Sequence, residues 1–335
     1  MATEMANPVI NSRYFKPQKE WGWQVAVDLY LAGMGSGALV IGLLVDWLGY
    51  SPYSSRTILL WGPVLVAFGA LFLISKLGIR RRFLNTVMNP KTSWLSRGFY
   101  ILSVCIIFGA VILAISLLPL LGVDIGSWSL FVRALDMVVF IFALAAAVYT
   151  GILVRSVRFV SFWHTYLLPV LFTVSALTTG AMATVMATYT YDLLVFNEAY
   201  SSNMRNVLMN ITQGLILIEA IVLALYLYTR YMAEEGQSRN SVLLLISGRL
   251  WFVFWLGIVA SGFALPLVLA IIYSRFSENP ILLFAIGALV LASRLLLRLA
   301  IIYAGIKDQT PWHKFVELQY YLKFPDAGPV PLRNG

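Results

Sequence analysis

Eight stretches of this chain run for about twenty residues with almost no charge, the length at which an α-helix matches the hydrocarbon layer of a bilayer. They fall at roughly 22–45, 57–79, 98–121, 132–154, 165–189, 207–230, 249–273 and 281–304. In lipid every backbone N–H and C=O must find its partner within the protein, and long continuous apolar runs do so as helices rather than as barrel strands. Composition agrees: 60% of the 335 residues are hydrophobic and 12% are charged, against roughly 25% charged in a soluble domain. The expected fold is an all-α integral membrane protein, a bundle of eight transmembrane helices. A cytoplasmic N-terminal segment (1–20), a membrane domain (21–305) and a cytoplasmic C-terminal tail (306–335) divide the chain. Residues 1–20 lack the apolar core of a cleavable signal peptide, and no connection is large enough for an extramembrane domain.

With eight crossings, both termini share a side with the 2–3, 4–5 and 6–7 connections. Eighteen lysines and arginines fall on that side, and four (Arg56, Arg133, Arg205 and Arg275) on the other. The positive-inside rule then places both termini in the cytoplasm. Topology thus accounts for the net charge of +9, and basic residues scattered over many loops do not point to nucleic acid. One cysteine excludes a disulfide framework, a Cys-ligated zinc site and an iron–sulfur cluster, which takes about four thiolates. Neither His164 nor His313 lies deep in an apolar run, so a transmembrane haem has no axial pair. Any electrons this protein handles belong to centres on another chain or to a diffusible cofactor; no metal site of its own is expected.

An ionisable side chain inside a span costs about 2.5–3.5 kcal/mol on insertion scales, which makes each one a candidate functional group. Gln24 and Asp28, in Trp21-Gly22-Trp23-Gln24-Val25-Ala26-Val27-Asp28, are one helical turn apart and share a face. At about 1.5 Å per residue, Asp28 lies about 10 Å below the cytoplasmic end of span one, and Tyr149 lies about 8 Å from the same end of span four. A carboxyl and a phenol at one level are suited to bonding a carbonyl and moving protons to it. The plainer alternatives are an Asp28 ion pair with a neighbouring helix and an aromatic-belt role for Tyr149. Glu219 and Arg294 fall at matching depth near the midplane and are expected to form a buried ion pair, with Arg298 one turn closer to the cytoplasm. That pair is either a structural tie or part of a proton relay with Asp28. Arg133 and Asp136, at the outer end of span four, are either a local pair or the relay's exit. His164 sits at the cytoplasmic interface ahead of span five. Gly33, Gly35, Gly37 and Gly42 give span one a flat face for close helix contact, and Thr178-Thr179-Gly180-Ala181 reads likewise as packing.

Trp21-Gly22-Trp23 followed by Gly33–Gly37 resembles the first span of the NrfD/PsrC family, the membrane subunits of polysulfide reductase-like complexes. The stretch Asn89-Pro90-Lys91-Thr92-Ser93-Trp94-Leu95-Ser96-Arg97-Gly98 is similar to the family's loop before span three. Tyr149-Thr150-Gly151 is similar to its Tyr-Thr-Gly signature, and Phe162-Trp163 with Leu168-Pro169 to its fifth span. Leu217-Ile218-Glu219 and Leu297-Arg298 fit the later spans. The resemblance covers roughly 20–305 and implies a haem-free, quinone-reactive anchor. An iron–sulfur subunit docks on such an anchor, with a molybdopterin-type catalytic subunit beyond it. It further implies that ubiquinone or menaquinone is held by Tyr149 and by the span-one positions Gln24 and Asp28. The family carries histidine where this chain has Asp28. Well-known relatives dock their partners on the periplasmic face, whereas the charge count puts this site at the cytoplasmic end. The resemblance therefore points to a cytoplasm-facing member of a bacterial inner membrane, similar to the SoeC-like sulfite dehydrogenase anchors.

The expected function is exchange of two electrons and two protons with the quinone pool at Gln24, Asp28 and Tyr149. The iron–sulfur partner is expected on the face offered by Arg80, Arg81, Arg82, His164 and the Trp312–Tyr321 stretch of the tail. A rival class is a secondary transporter or proton-translocating protein using Asp28, Glu219 and Arg294 without a partner protein. Pro63, Pro119, Pro169 and Pro266 are scattered and give no paired, broken half-helices in two halves. A purely structural anchor without a quinone site is a third reading.

Overall fold

A computed structural model describes residues 18, 21–48, 61–76, 91, 93–118, 129–195, 198–233, 237–276 and 279–308. The described elements are helical: α1 (Trp23–Trp47), α2 (Trp61–Lys76), α3 (Trp94–Leu117), α4 (Ser129–Arg155), a 3-10 turn (Ser161–Trp163), α5 (Leu167–Val195), α6 (Glu198–Tyr231) and α7 (Ser238–Ile246). A π-helical stretch, Val253–Ala264, runs directly into α-helical Leu265–Phe276, and the two together form α8; α9 (Pro280–Tyr303) follows. Among the described residues seven helices are long and apolar enough to cross a membrane, and Gly62–Ser75 within α2 is a shorter apolar helix. The sequence predicts eight runs. The difference lies in the second one, whose flanks at 51–60 and 77–90 fall outside the described residues.

The bundle is arranged around α1, which is buried along nearly its whole length and contacts α2, α4, α5 and α9. Its glycines make that possible. A Cβ on Gly37 would lie 1.9 Å from the Ala176 carbonyl oxygen, and one on Gly180 would lie 2.1 Å from the Gly37 carbonyl carbon. At this level α1 and α5 meet backbone to backbone, which is the advantage small residues offer where lipid supplies no hydrophobic drive between helices. Another face of α1 receives α2 in the same way: a Cβ on Gly35 would lie 2.5 Å from the Gly62 carbonyl oxygen. From there α2 runs antiparallel to α1, past Gly69 against Ala32 and Asp28, to Phe72 beside Trp23, their rings 6.1 Å apart. On α5 the hydroxyls of Thr178, Thr179 and Thr184 bond carbonyls of their own helix, so its polar residues remain satisfied in apolar surroundings.

The end of the bundle where α1 begins is closed by a polar network. Gln18 donates to the carbonyls of Trp21 (2.7 Å) and Ile302 (3.1 Å), tying the entry of α1 to the end of α9. Asp308 accepts from the Ser161 amide and hydroxyl and from the Gln237 amide, at 2.8–2.9 Å. Trp163 donates to Ile301, and Tyr226 to Phe162, each at 2.9 Å. Substituting leucine at Gly180 should force α1 and α5 apart and cost more than the about 1–3 kcal/mol of ordinary overpacking, because backbone rather than a movable side chain stands in the way. The expected result is loss of monodisperse, detergent-soluble protein; a Gly180→Leu variant with an unchanged thermal midpoint would refute the contact.

Candidate functional site

The polar residues singled out in the spans fall into two groups on different faces of α1. The first group stands near the start of the helix. Asp28 is 2% exposed and Tyr149, on α4, is 4% exposed. The helices that carry them, α1 and α4, pack against each other. The Asp28 Oδ1 atom and the Tyr149 hydroxyl are both buried without a hydrogen-bond partner. Gln24 lies half-buried one turn nearer the end of the helix. Glycines of the flanking helices border both groups: a Cβ on Gly69 of α2 would lie 3.3 Å from Asp28 Oδ1, and one on Gly98 of α3 would lie 2.0 Å from the Tyr149 hydroxyl.

The second group faces α5, α6, α8 and α9. Arg294 sends Nε and Nη2 to the same oxygen, Glu219 Oε2, at 3.1 and 3.0 Å, so the ion pair expected from matching depth is formed. Its Nη1 donates to the Gly262 carbonyl, in the π-helical part of α8, and to Ser293 Oγ at 2.9 Å. The guanidinium also lies 4.8 Å from the Phe263 ring centre. Arg298, one turn along α9, is fully buried; it donates to the Leu29 carbonyl at 3.2 Å and to Ser175 Oγ at 3.0 Å. Gly33 makes room for it, since a Cβ there would lie 2.7 Å from Arg298 Nη2. Among the described residues no hydrogen bond or ion pair joins Asp28 to this group. Asp28 faces α2, while the carbonyl of the next residue, Leu29, already accepts from Arg298.

The remaining positions are dispersed. Asp136 is buried and Arg133 exposed on α4. His164 is exposed, its Nδ1 lying 3.2 Å from the Arg155 carbonyl oxygen. Arg80, Arg81, Arg82, His313 and the Trp312–Tyr321 stretch lie outside the described residues. Sequence reasoning did not assign Gly69 or Gly98 to the site, nor Ser175 and the Gly262 carbonyl to the arginines. A backbone acceptor carries no residue-type signal, and a glycine's partner across a helix interface is visible only once the helices are packed.

An unpaired buried polar group costs about 1–3 kcal/mol, and Asp28 Oδ1 and the Tyr149 hydroxyl are two such atoms on helices that pack together. In the second group Arg294 is satisfied by three partners, while Glu219 Oε1 is buried without a hydrogen-bond partner. Removing Glu219 alone strands a buried guanidinium, which typically costs about 3–5 kcal/mol, whereas replacing both partners by apolar residues costs far less. A Glu219→Leu protein should therefore unfold well below the parent, and Glu219→Leu/Arg294→Met should recover most of the loss; equal thermal midpoints for the two variants would contradict this.

Comparison with known proteins gives these groups a context. The sequence profile of the family described as "Polysulphide reductase, NrfD" matches residues 12–308. The C subunit of polysulfide reductase from Wolinella succinogenes is 27% identical over 313 residues, covering 85% of this protein and 94% of that one. Protein NrfD of Escherichia coli is 27% identical over 305 residues, with the same coverage. The NrfD homolog of Haemophilus influenzae is 22% identical over 315 residues, covering 87% of this protein and 96% of its own length. The chain belongs to the NrfD family, as a multi-span membrane subunit of a redox complex.

Proposed function

We propose that this protein is the quinone-reactive subunit of its complex and that the quinone headgroup is bound by Asp28, Tyr149 and Gln24. The observation that carries the reading is the pair of unpartnered, buried polar atoms, Asp28 Oδ1 and the Tyr149 hydroxyl, contributed by neighbouring helices in an otherwise apolar wall. A quinone has two carbonyl oxygens that accept hydrogen bonds and supplies a two-electron, two-proton couple when bound. The phenol is a donor for such an oxygen, the carboxyl accepts or delivers a proton, and Gln24 adds an amide on the same face one turn away. Apolar neighbours such as Val25, Leu29, Ala146 and Leu153 keep bulk water from the reacting oxygens and strengthen each hydrogen bond there. Ubiquinone and menaquinone both fit this donor set.

The electrons would come from or go to an iron–sulfur subunit docked at the end of the bundle where α1 begins. A molybdopterin-type catalytic subunit would stand beyond it. What supports this end is its nearness to Gln24 and Asp28 and its closure by the Asp308 and Gln18 networks, which give a partner a firm surface. The excess of lysine and arginine in the connections on that side makes it cytoplasmic in a bacterial inner membrane, as in SoeC-like anchors. We read α2 as an eighth crossing, because it returns antiparallel along α1 from Gly62 to Phe72. Glu219, Arg294 and Arg298 are then the electrostatic tie of α6, α8 and α9 to α1. Protons for the quinone would enter from the near end, past Gln24, and not across α1 from that group.

Asp28→Ala should lower quinone-linked turnover by about 10²–10⁴-fold, the range set by loss of general acid–base catalysis, and Tyr149→Phe by about tenfold or more, the effect of one lost hydrogen bond, while the subunits still co-purify. Normal turnover in both assembled variants would sink the site assignment.

A further inference from the structure

We propose that Gly98, on α3, is the positioning residue of this site, setting where the Tyr149 hydroxyl stands; the inference rests on the quinone reading above. Gly98 lies in the second turn of α3, which starts behind Ser93, whose hydroxyl accepts from the Ser96 amide. A Cβ at this position would fall 1.7 Å from Tyr149 Cζ, 2.0 Å from its hydroxyl and 2.2 Å from Cε2. The ring therefore rests directly on the bare backbone of α3, with its polar tip over the Gly98 Cα. No other described glycine meets the oxygen-bearing tip of an aromatic side chain in this way. Gly305, for example, lies against the indole carbons of Trp163, whose Nε1 is already bonded to Ile301.

The consequence is directional. With α3 covering one side of the unpartnered hydroxyl, a ligand is left to approach it from another side, and α1 is among the helices packed on α4. The phenol is buried to 4% exposure and held in the main core cluster with Leu102, Ala146 and Leu153, so the ring cannot swing away to admit a methyl group and keep the same aim. Gly69 is a milder case: a Cβ there would first meet the Ala32 nitrogen and the Asp28 carbonyl oxygen of α1, each at 3.1 Å, and Oδ1 at 3.3 Å, contacts that ask for a shift of a few tenths of an ångström. Gly98 has no such freedom. It acts through Tyr149 and touches no substrate itself.

The test uses the whole complex with its partner subunits, assayed with a short-chain ubiquinone over a range of concentrations. Gly98→Ala should lower kcat/KM for the quinone by about tenfold or more, the effect of one lost hydrogen bond, mainly through KM. Placed in a Tyr149→Leu background, which removes both the hydroxyl and the ring that the added Cβ would strike, the same substitution should change kcat/KM by less than about twofold. Equal losses in both backgrounds would mean that Gly98 is merely structural and would overturn the proposal. If Gly98→Ala fails to assemble, Gly98→Ala/Tyr149→Leu, which removes the colliding ring, should restore assembly; failure to restore it is also contrary. Should Asp28→Ala and Tyr149→Phe turn over normally, the quinone site itself is wrong. Should those two be impaired while Gly98→Ala behaves as the parent, only the positioning role fails.

Discussion

The backbone contact between α1 and α5 at Gly37 and Gly180 is the constraint on which the rest of the bundle depends. It brings the two helices together backbone to backbone and leaves α1 surrounded by α2, α4, α5 and α9. A helix enclosed in this way presents no face to lipid over most of its length, so polar residues placed on it cost less than they would at the bundle surface. Asp28 and the Leu29 carbonyl, which carry the two polar groups, both depend on that enclosure. Gly35 and Gly33 repeat the same device on other faces, one admitting α2 and the other the Arg298 guanidinium.

Two kinds of buried polarity then coexist on α1 with opposite chemistry. Around Arg294 every strong donor finds an acceptor: a carboxylate, a hydroxyl and a carbonyl in the π-helical part of α8. π-Helical turns are rare and concentrate at functional positions, and here the turn supplies an acceptor to a buried cation. Around Asp28 and Tyr149, two polar atoms are left without partners inside the protein. The first arrangement, apart from the unpartnered Glu219 Oε1, suits a structural tie, and the second suits the ligand site proposed above. Membership in a family of redox-complex membrane subunits agrees with the second and weighs against a self-sufficient transporter, which would need a polar path through the whole thickness of the bundle.

Much of this was legible in the sequence, for reasons of geometry. A fixed rise per residue converts distance from a helix end into depth, so the Glu219–Arg294 pair followed from counting. The glycines of span one announced a flat face without saying which helix each would meet. Depth, however, carries no azimuth: counting along spans joined Asp28, Glu219, Arg294 and Arg298 into one candidate relay, whereas their directions around α1 divide them. Gly98 illustrates the remaining gap, since its role depends on a tyrosine 51 positions away on another helix. The π-helical part of α8, the short α7 and the Asp308 network likewise rest on partners distant in sequence.

The central claim is that quinone binds between α1 and α4 at Asp28 and Tyr149. Photolabelling the assembled complex with an azido-quinone, followed by peptide mapping, tests it most directly. The account predicts adducts on α1 around Gln24–Asp28 and on α4 around Tyr149, suppressed by excess unlabelled quinone. Competable adducts confined to α6, α8 or α9 around Glu219 and Arg294, with none on α1 or α4, would contradict it.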